Sequence, residues 1–214
     1  MNEPFTILDR DWIYRVRKPE TGVTNRVIFL VHGWTGDENS MWAFSHLFPK
    51  DVWLISPRGM IKTDLGGYGW VPTELTSLSS INDMRKPAEI FIDHAKSIQN
   101  TFNINADSIS LAGFSQGAAL IYSICFTQSG LVQKAACLSG FIPRGMVNLE
   151  GFTKLARCDF LITHGTNDEI VPFSEAQYAE EALIKINAQV KFTADHTGHK
   201  LGPLGSRALR AFFE

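Results

Sequence analysis

Five consecutive apolar residues, Val27-Ile28-Phe29-Leu30-Val31, restrict what this chain can fold into more than any other feature. A strand with one wet face alternates apolar and polar side chains. A strand apolar at every position must be covered on both faces, as in a parallel sheet between layers of helix. Strands of this or related apolar and β-branched character are predicted at Trp12–Arg17, Arg26–Val31, Val52–Ser56, Ser108–Ala112, Ala135–Ser139, Phe160–Thr163 and Val190–Thr193.

Helical spacing lies between them. Ala88, Phe91, Ala95, Ile98 and Phe102 recur at intervals of three and four, which predicts a helix over Pro87–Thr101 with Pro87 in its first turn, where a missing N–H costs nothing. Further helices are expected over Met41–Leu47, Gln116–Phe126, Ser174–Ile186 and Leu204–Phe213, and Ser174 with Gln177 reads as a capping box. Strand and helix alternate throughout. The expected fold is therefore α/β, a doubly wound, mostly parallel sheet of about seven strands flanked by helices. A length of 214 residues suits a single domain over 1–214 with no large cap domain. One interval, Pro57–Ser80, has no periodic pattern and is expected to be a long functional loop around Gly66-Gly67-Tyr68-Gly69-Trp70.

Composition removes several function classes. The net charge of −2 comes from 20 basic and 22 acidic residues without long runs, so neither a nucleic-acid groove nor a polybasic membrane patch is expected. No segment has the apolar length of a membrane span. Glu3, Asp9, Arg10 and Asp11 within Met1–Trp12 argue against a signal peptide. Cys125, Cys137 and Cys158 are odd in number, sit in apolar runs and lack C-x-x-C spacing; they read as reduced thiols, and the expected location is cytoplasmic. No apolar stripe can be separated from core, which leaves a homodimer open.

Gly113-Phe114-Ser115-Gln116-Gly117 matches G-x-S-x-G, and its setting matters more than the match. A predicted strand feeds it and a predicted helix leaves it, so the serine hydroxyl stands at a helix N-terminus on a sharp turn. A serine is a poor nucleophile until a base takes its proton, and that base needs an orienting carboxylate. On a sheet of this kind the partners follow in the order Ser, acid, His, each beyond a strand. Asp168, in His164-Gly165-Thr166-Asn167-Asp168, follows the strand Phe160–Thr163, whereas Asp159 precedes it. After Val190–Thr193 two histidines compete for the base: His199, which follows Gly198, is favoured, with His196 as the fallback. Backbone donors for an oxyanion are expected from Gln116, next to the nucleophile, and from Trp34 in the loop His32-Gly33-Trp34-Thr35-Gly36. His32 and His164 read as structural. Trp34, Tyr68 and Trp70 are the candidate substrate contacts. No cofactor is expected: H-E-x-x-H is absent, further ligands beside Asp195, His196 and His199 are lacking, and the glycines at 66, 67 and 69 do not make G-x-G-x-x-G.

Taken together, these residues resemble the phospholipase/carboxylesterase family of small α/β-hydrolases, which includes acyl-protein thioesterases. The matching pieces are His32-Gly33-Trp34-Thr35-Gly36, Gly67-Tyr68-Gly69-Trp70, the Ser115 pentapeptide, His164-Gly165 with Asp168 and Val171-Pro172, and Gly198-His199. The resemblance implies a Ser115–Asp168–His199 triad, oxyanion donors at Trp34 and Gln116, and small-molecule acyl esters or thioesters as substrates. Trp34 stands where many members carry leucine. A non-catalytic binding protein on the same fold, or a peptidase or lactonase with the same triad, are the competing readings.

Overall fold

A computed structural model of the chain describes residues 3–20, 24–72, 78–128, 130–146 and 158–214. Eight strands form the main sheet: β1 (Phe5–Asp9), β2 (Trp12–Arg17), β3 (Val27–Val31), β4 (Trp53–Pro57), β7 (Ile109–Phe114), β8 (Val132–Leu138), β9 (Asp159–Gly165) and β10 (Gln189–Asp195), in the order β1-β2-β4-β3-β7-β8-β9-β10. The two pairings made by β2 are antiparallel, and every pairing from β4 through β10 is parallel. This is the α/β-hydrolase fold, with one strand more than expected. The extra strand is β1, which alternates between half-buried and exposed residues and so carries no continuous apolar run.

The apolar run Val27–Val31 behaves as its composition requires. All five residues of β3 are buried, and alternate side chains enter opposite layers. Val27, Phe29 and Val31 join a core with helices α1 (Ile81–Thr101), α2 (Gln116–Thr127) and α3 (Phe173–Lys185). Ile28 and Leu30 face a second core containing Met41, Leu47, Leu209, Phe212 and Phe213. That second layer is built by a 3-10 segment, Ser40–Leu47, and by helix α4 (Pro203–Phe213).

Three local expectations are corrected. Helix α1 starts at Ile81, six residues before Pro87, because Met84 continues the buried stripe and a capping box closes at Ser80, whose side chain accepts from Asp83 N–H while the Asp83 carboxylate accepts from Ser80 N–H. Pro87 is thus interior to the helix and buried. Ser174 lies inside α3, whose N-cap is Pro172 without a side-chain cap, so the Ser174–Gln177 box does not form. The Pro57–Ser80 interval contains a short hairpin, β5 (Ile61–Lys62) with β6 (Tyr68–Gly69), while residues 73–77 lie outside the described residues.

Every loop holding a candidate residue leaves the C-terminal end of a parallel strand: His32–Gly36 after β3, Ser115 after β7, Asp168 after β9 and His199 after β10. In open α/β sheets this rim is where ligands bind.

Candidate active site

Ser115 joins β7 to α2 with φ 54° and ψ −117°, a strained conformation for a residue with a side chain. Its N–H donates to Leu138 O at 2.9 Å, tying the turn to β8. The flanking glycines are steric necessities. A Cβ on Gly117 would lie 2.2 Å from Val31 O, and one on Gly113 would lie 2.7 Å from the Gly117 carbonyl group. The elbow can close only where both side chains are absent.

Asp168 is buried beyond β9 with its carboxylate fully engaged. Oδ1 accepts the N–H groups of Ile170 and Val171, each at 2.9 Å, and Oδ2 lies 2.7 Å from His199 Nδ1. A carboxylate only accepts, so Nδ1 bears a proton, which in the neutral ring leaves the lone pair on Nε2, the tautomer a general base needs. The His199 ring packs against Phe114, the residue before Ser115, with centroids 4.8 Å apart. His196 is exposed and meets Thr166 and Asn167 instead. Behind Asp168, His164 Nε2 donates to Val171 O at 2.8 Å and stands 3.3 Å from Asp168 Oδ2. Burial lowers its pKa, so this contact joins a neutral imidazole to the carboxylate and is not an ion pair.

The loop after β3 is braced from several sides. His32 is buried; its Nδ1–H donates to Gly33 O at 2.7 Å, and Nε2 accepts Gly59 N–H at 2.8 Å. Burial lowers its pKa as well. Thr35, a β-branched residue, is held at φ 66°, and Tyr68 N–H donates to Gly36 O at 2.7 Å. These bonds fix the loop beside Ser115.

Trp70 is corrected as a substrate contact. It is 0% exposed. Its indole N–H donates to His32 O at 2.8 Å and its backbone N–H to the Gln116 side-chain oxygen at 2.8 Å. The Gln116 amide also donates to Val71 O at 3.1 Å, so Trp70 and Gln116 together lock the His32–Gly36 loop to the start of α2. The Tyr68 ring lies 4.8 Å beneath the Arg58 guanidinium and is not among the residues that line the cavity at Ser115. Arg58 forms a two-pronged pair with Glu38 at 2.6 and 2.8 Å. Burial alone would raise the Glu38 pKa, but the hydrogen bonds and charge of Arg58 hold it below the usual value. Nothing in the spacing of residues 38 and 58 marks them, because they meet only through this loop.

A cavity of about 620 Å³ opens at Ser115 and His199, and Trp34, Met41, Phe44, Phe114, Ile170 and Leu201 give it a mostly apolar lining. The size lies within the usual range for small-molecule sites.

The two buried histidines make acid stability a test of this wiring. Both titrate below the ordinary imidazole value through burial. Across that interval the unfolded chain binds more protons than the folded one, so their contribution is complete above the unfolded value, about 6.5, and is lost as pH falls through the folded values. Tm from calorimetry is expected to fall between about pH 7 and pH 5, a window above ordinary carboxylate titration. A flat profile there would show that these imidazoles are not held neutral.

The sequence profile of the phospholipase/carboxylesterase family matches residues 13–213. Esterase YpfH of Escherichia coli (strain K12) is 26% identical over 190 residues, covering 82% of this chain and 76% of that protein. The carboxylesterase of Mesorhizobium loti superposes with a TM-score of 0.83 at 22% identity, covering 97% of both chains. The Bacillus cereus carboxylesterase gives 0.82 at 19% identity, covering 94% of this chain and 92% of that one. Among the described residues no helix is long and apolar enough to cross a membrane. The rim of parallel-strand loops, the elbow at Ser115 and a family match over nearly the whole chain agree: this chain belongs to the phospholipase/carboxylesterase family of α/β-hydrolases and is an esterase-type hydrolase.

Proposed function

We propose that this chain is a single-domain cytoplasmic enzyme that cleaves carboxylic esters, and thioesters of the same acyl groups, by two-step acyl transfer at Ser115. The observation that carries this reading is the 2.7 Å bond from His199 to a buried Asp168, in one cavity with a serine on a strained elbow. His199 Nε2 takes the Ser115 proton as Oγ attacks the carbonyl carbon. The backbone N–H groups of Trp34 and Gln116 hold the tetrahedral oxyanion; one such donor is typically worth about 10²–10³ in turnover. The imidazolium then protonates the leaving alcohol or thiol. Water enters and loses its proton to His199 as it attacks the acyl-serine; His199 then returns that proton to Ser115 Oγ as the acid is released.

The acyl chain lies along Trp34, Met41 and Phe44, where the cavity wall is apolar. Each methylene buried there contributes up to about 0.8 kcal/mol, or roughly fourfold in kcat/KM. Rates over p-nitrophenyl esters from acetate to palmitate are therefore expected to rise to a medium-length chain and fall again once it outgrows the cavity. A flat series would remove the cavity as the acyl site. Failure to hydrolyse any of the esters would remove the proposed reaction.

A further inference from the structure

We propose that Asp195 is a positioning residue for His199: its carboxylate clasps the two ends of the loop that carries the base. Strand β10 ends at Asp195, and α4 begins at Pro203. The N-cap of α4 is Gly202, which has no side chain to satisfy the first helical N–H groups. Asp195 supplies the acceptors from upstream. Its Oδ1 accepts Leu204 N–H at 3.0 Å and its Oδ2 accepts Gly205 N–H at 2.7 Å. The fit is close: a Cβ on Gly202 would lie 2.3 Å from Asp195 Cγ, so the carboxylate rests against backbone that only glycine leaves open.

The backbone of the same residue holds the other side. Asp195 O accepts Thr166 N–H at 2.8 Å and Thr197 N–H at 2.9 Å, and Asn167 N–H donates to Thr197 O at 3.0 Å. Thr166 and Asn167 immediately precede Asp168, so these bonds join the acid loop to the histidine loop. Gly165 permits the approach, since a Cβ there would stand 2.3 Å from the carbonyl oxygens of Thr197 and Gly198. An ordinary helix cap closes a helix; this carboxylate also closes the segment 196–202, within which His199 must keep its 2.7 Å contact with Asp168. It is buried, its negative charge sits at the positive end of α4, and both oxygens are engaged.

The proposal rests on His199 being the base. The test compares Asp195→Ala and Asp195→Asn with Leu209→Ala, which truncates a buried α4 side chain outside the cavity. With p-nitrophenyl butyrate, Asp195→Ala is expected to lower kcat per folded molecule about ten- to hundredfold, with KM within about threefold. The acid limb of kcat/KM moves to lower pH, because a loosened Asp168 contact stabilises the His199 imidazolium less. Asp195→Asn, which keeps one acceptor oxygen, falls between Asp195→Ala and the parent. Leu209→Ala lowers Tm but leaves kcat and the acid limb in place. The proposal is overturned if the Asp195 variants lose only Tm, or if Leu209→Ala reproduces their kinetics. Should Asp195→Ala fail to fold, Asp195→Asn decides by the same criteria. His199→Ala separates the two levels: retained activity there removes the base assignment, while an inactive His199→Ala beside a kinetically normal Asp195→Asn removes only the clasp.

Discussion

Ser115→Ala is expected to lower p-nitrophenyl ester turnover by on the order of 10⁴–10⁶-fold while leaving Tm within a few degrees of the parent. The substitution deletes one oxygen. It leaves the elbow glycines and the N–H of residue 115 bonded to Leu138 O, so the fold has little reason to respond. Alanine inherits the same positive φ, and the strain of that conformation is unchanged. What disappears is the atom that, in the proposed mechanism, forms the acyl-enzyme. Positioning and oxyanion donation alone leave only a small residual rate. The same variant should lose labelling by a fluorophosphonate probe. Turnover within tenfold of the parent, with the probe attached elsewhere, would overturn the nucleophile assignment.

Trp70→Ala is expected to cost about 3–5 kcal/mol of stability. That corresponds to a fall in Tm of roughly 6–20 °C for a chain of this size. The indole packs against Trp12, Phe91 and His32, with centroids 5.9, 5.7 and 5.1 Å away, and its N–H occupies His32 O. Truncation opens a cavity beneath the loop that presents Trp34, so kcat should fall together with Tm. Trp70→Phe keeps most of the packing and loses the donor, and should be intermediate in both. The expectation drawn from sequence, in which Trp70 touches substrate, gives the opposite pattern: KM rises and Tm stays. Calorimetry with steady-state kinetics on the two variants separates these outcomes.

That contrast shows how unevenly the site can be read from its residues. Glycine and aromatic residues clustered in an aperiodic interval mark a place where backbone approaches closely, and they do lie beside the site. They do not say which aromatic faces solvent. Trp70 turned inward because its N–H and ring found partners in His32 and Phe91, both distant in sequence. Tyr68 went to Arg58, and Arg58 to Glu38, by the same kind of long-range closure. Asp195 was visible only as one member of an acidic and histidine cluster. Its use depends on where α4 begins, and Gly202 settled that by leaving the helix without its own cap.

Local properties account for what was legible. Continuous apolar runs mark doubly covered strands whatever their neighbours are, and β3, apolar and buried at all five positions, is such a strand. A serine between two glycines at a strand-to-helix junction marks an elbow, because only missing side chains allow one; the 2.2 Å clearance at Gly117 is the steric form of that rule. The order of Ser115, Asp168 and His199, each beyond its own strand, follows from parallel topology. The edge strand β1 escaped because an exposed strand shows no continuous apolar run.

The amino-acid sequence by itself determined the α/β class, the elbow, and the rim on which the candidate groups gather. These depend on periodicity and on steric exclusion within a few residues. Only tertiary structure decided that Asp168 meets His199 rather than His196, that Trp70 supports the loop from beneath, and that Asp195 clasps the histidine loop. Hydrogen bonds between groups far apart in the chain become worth making only once the sheet has brought their loops to one rim.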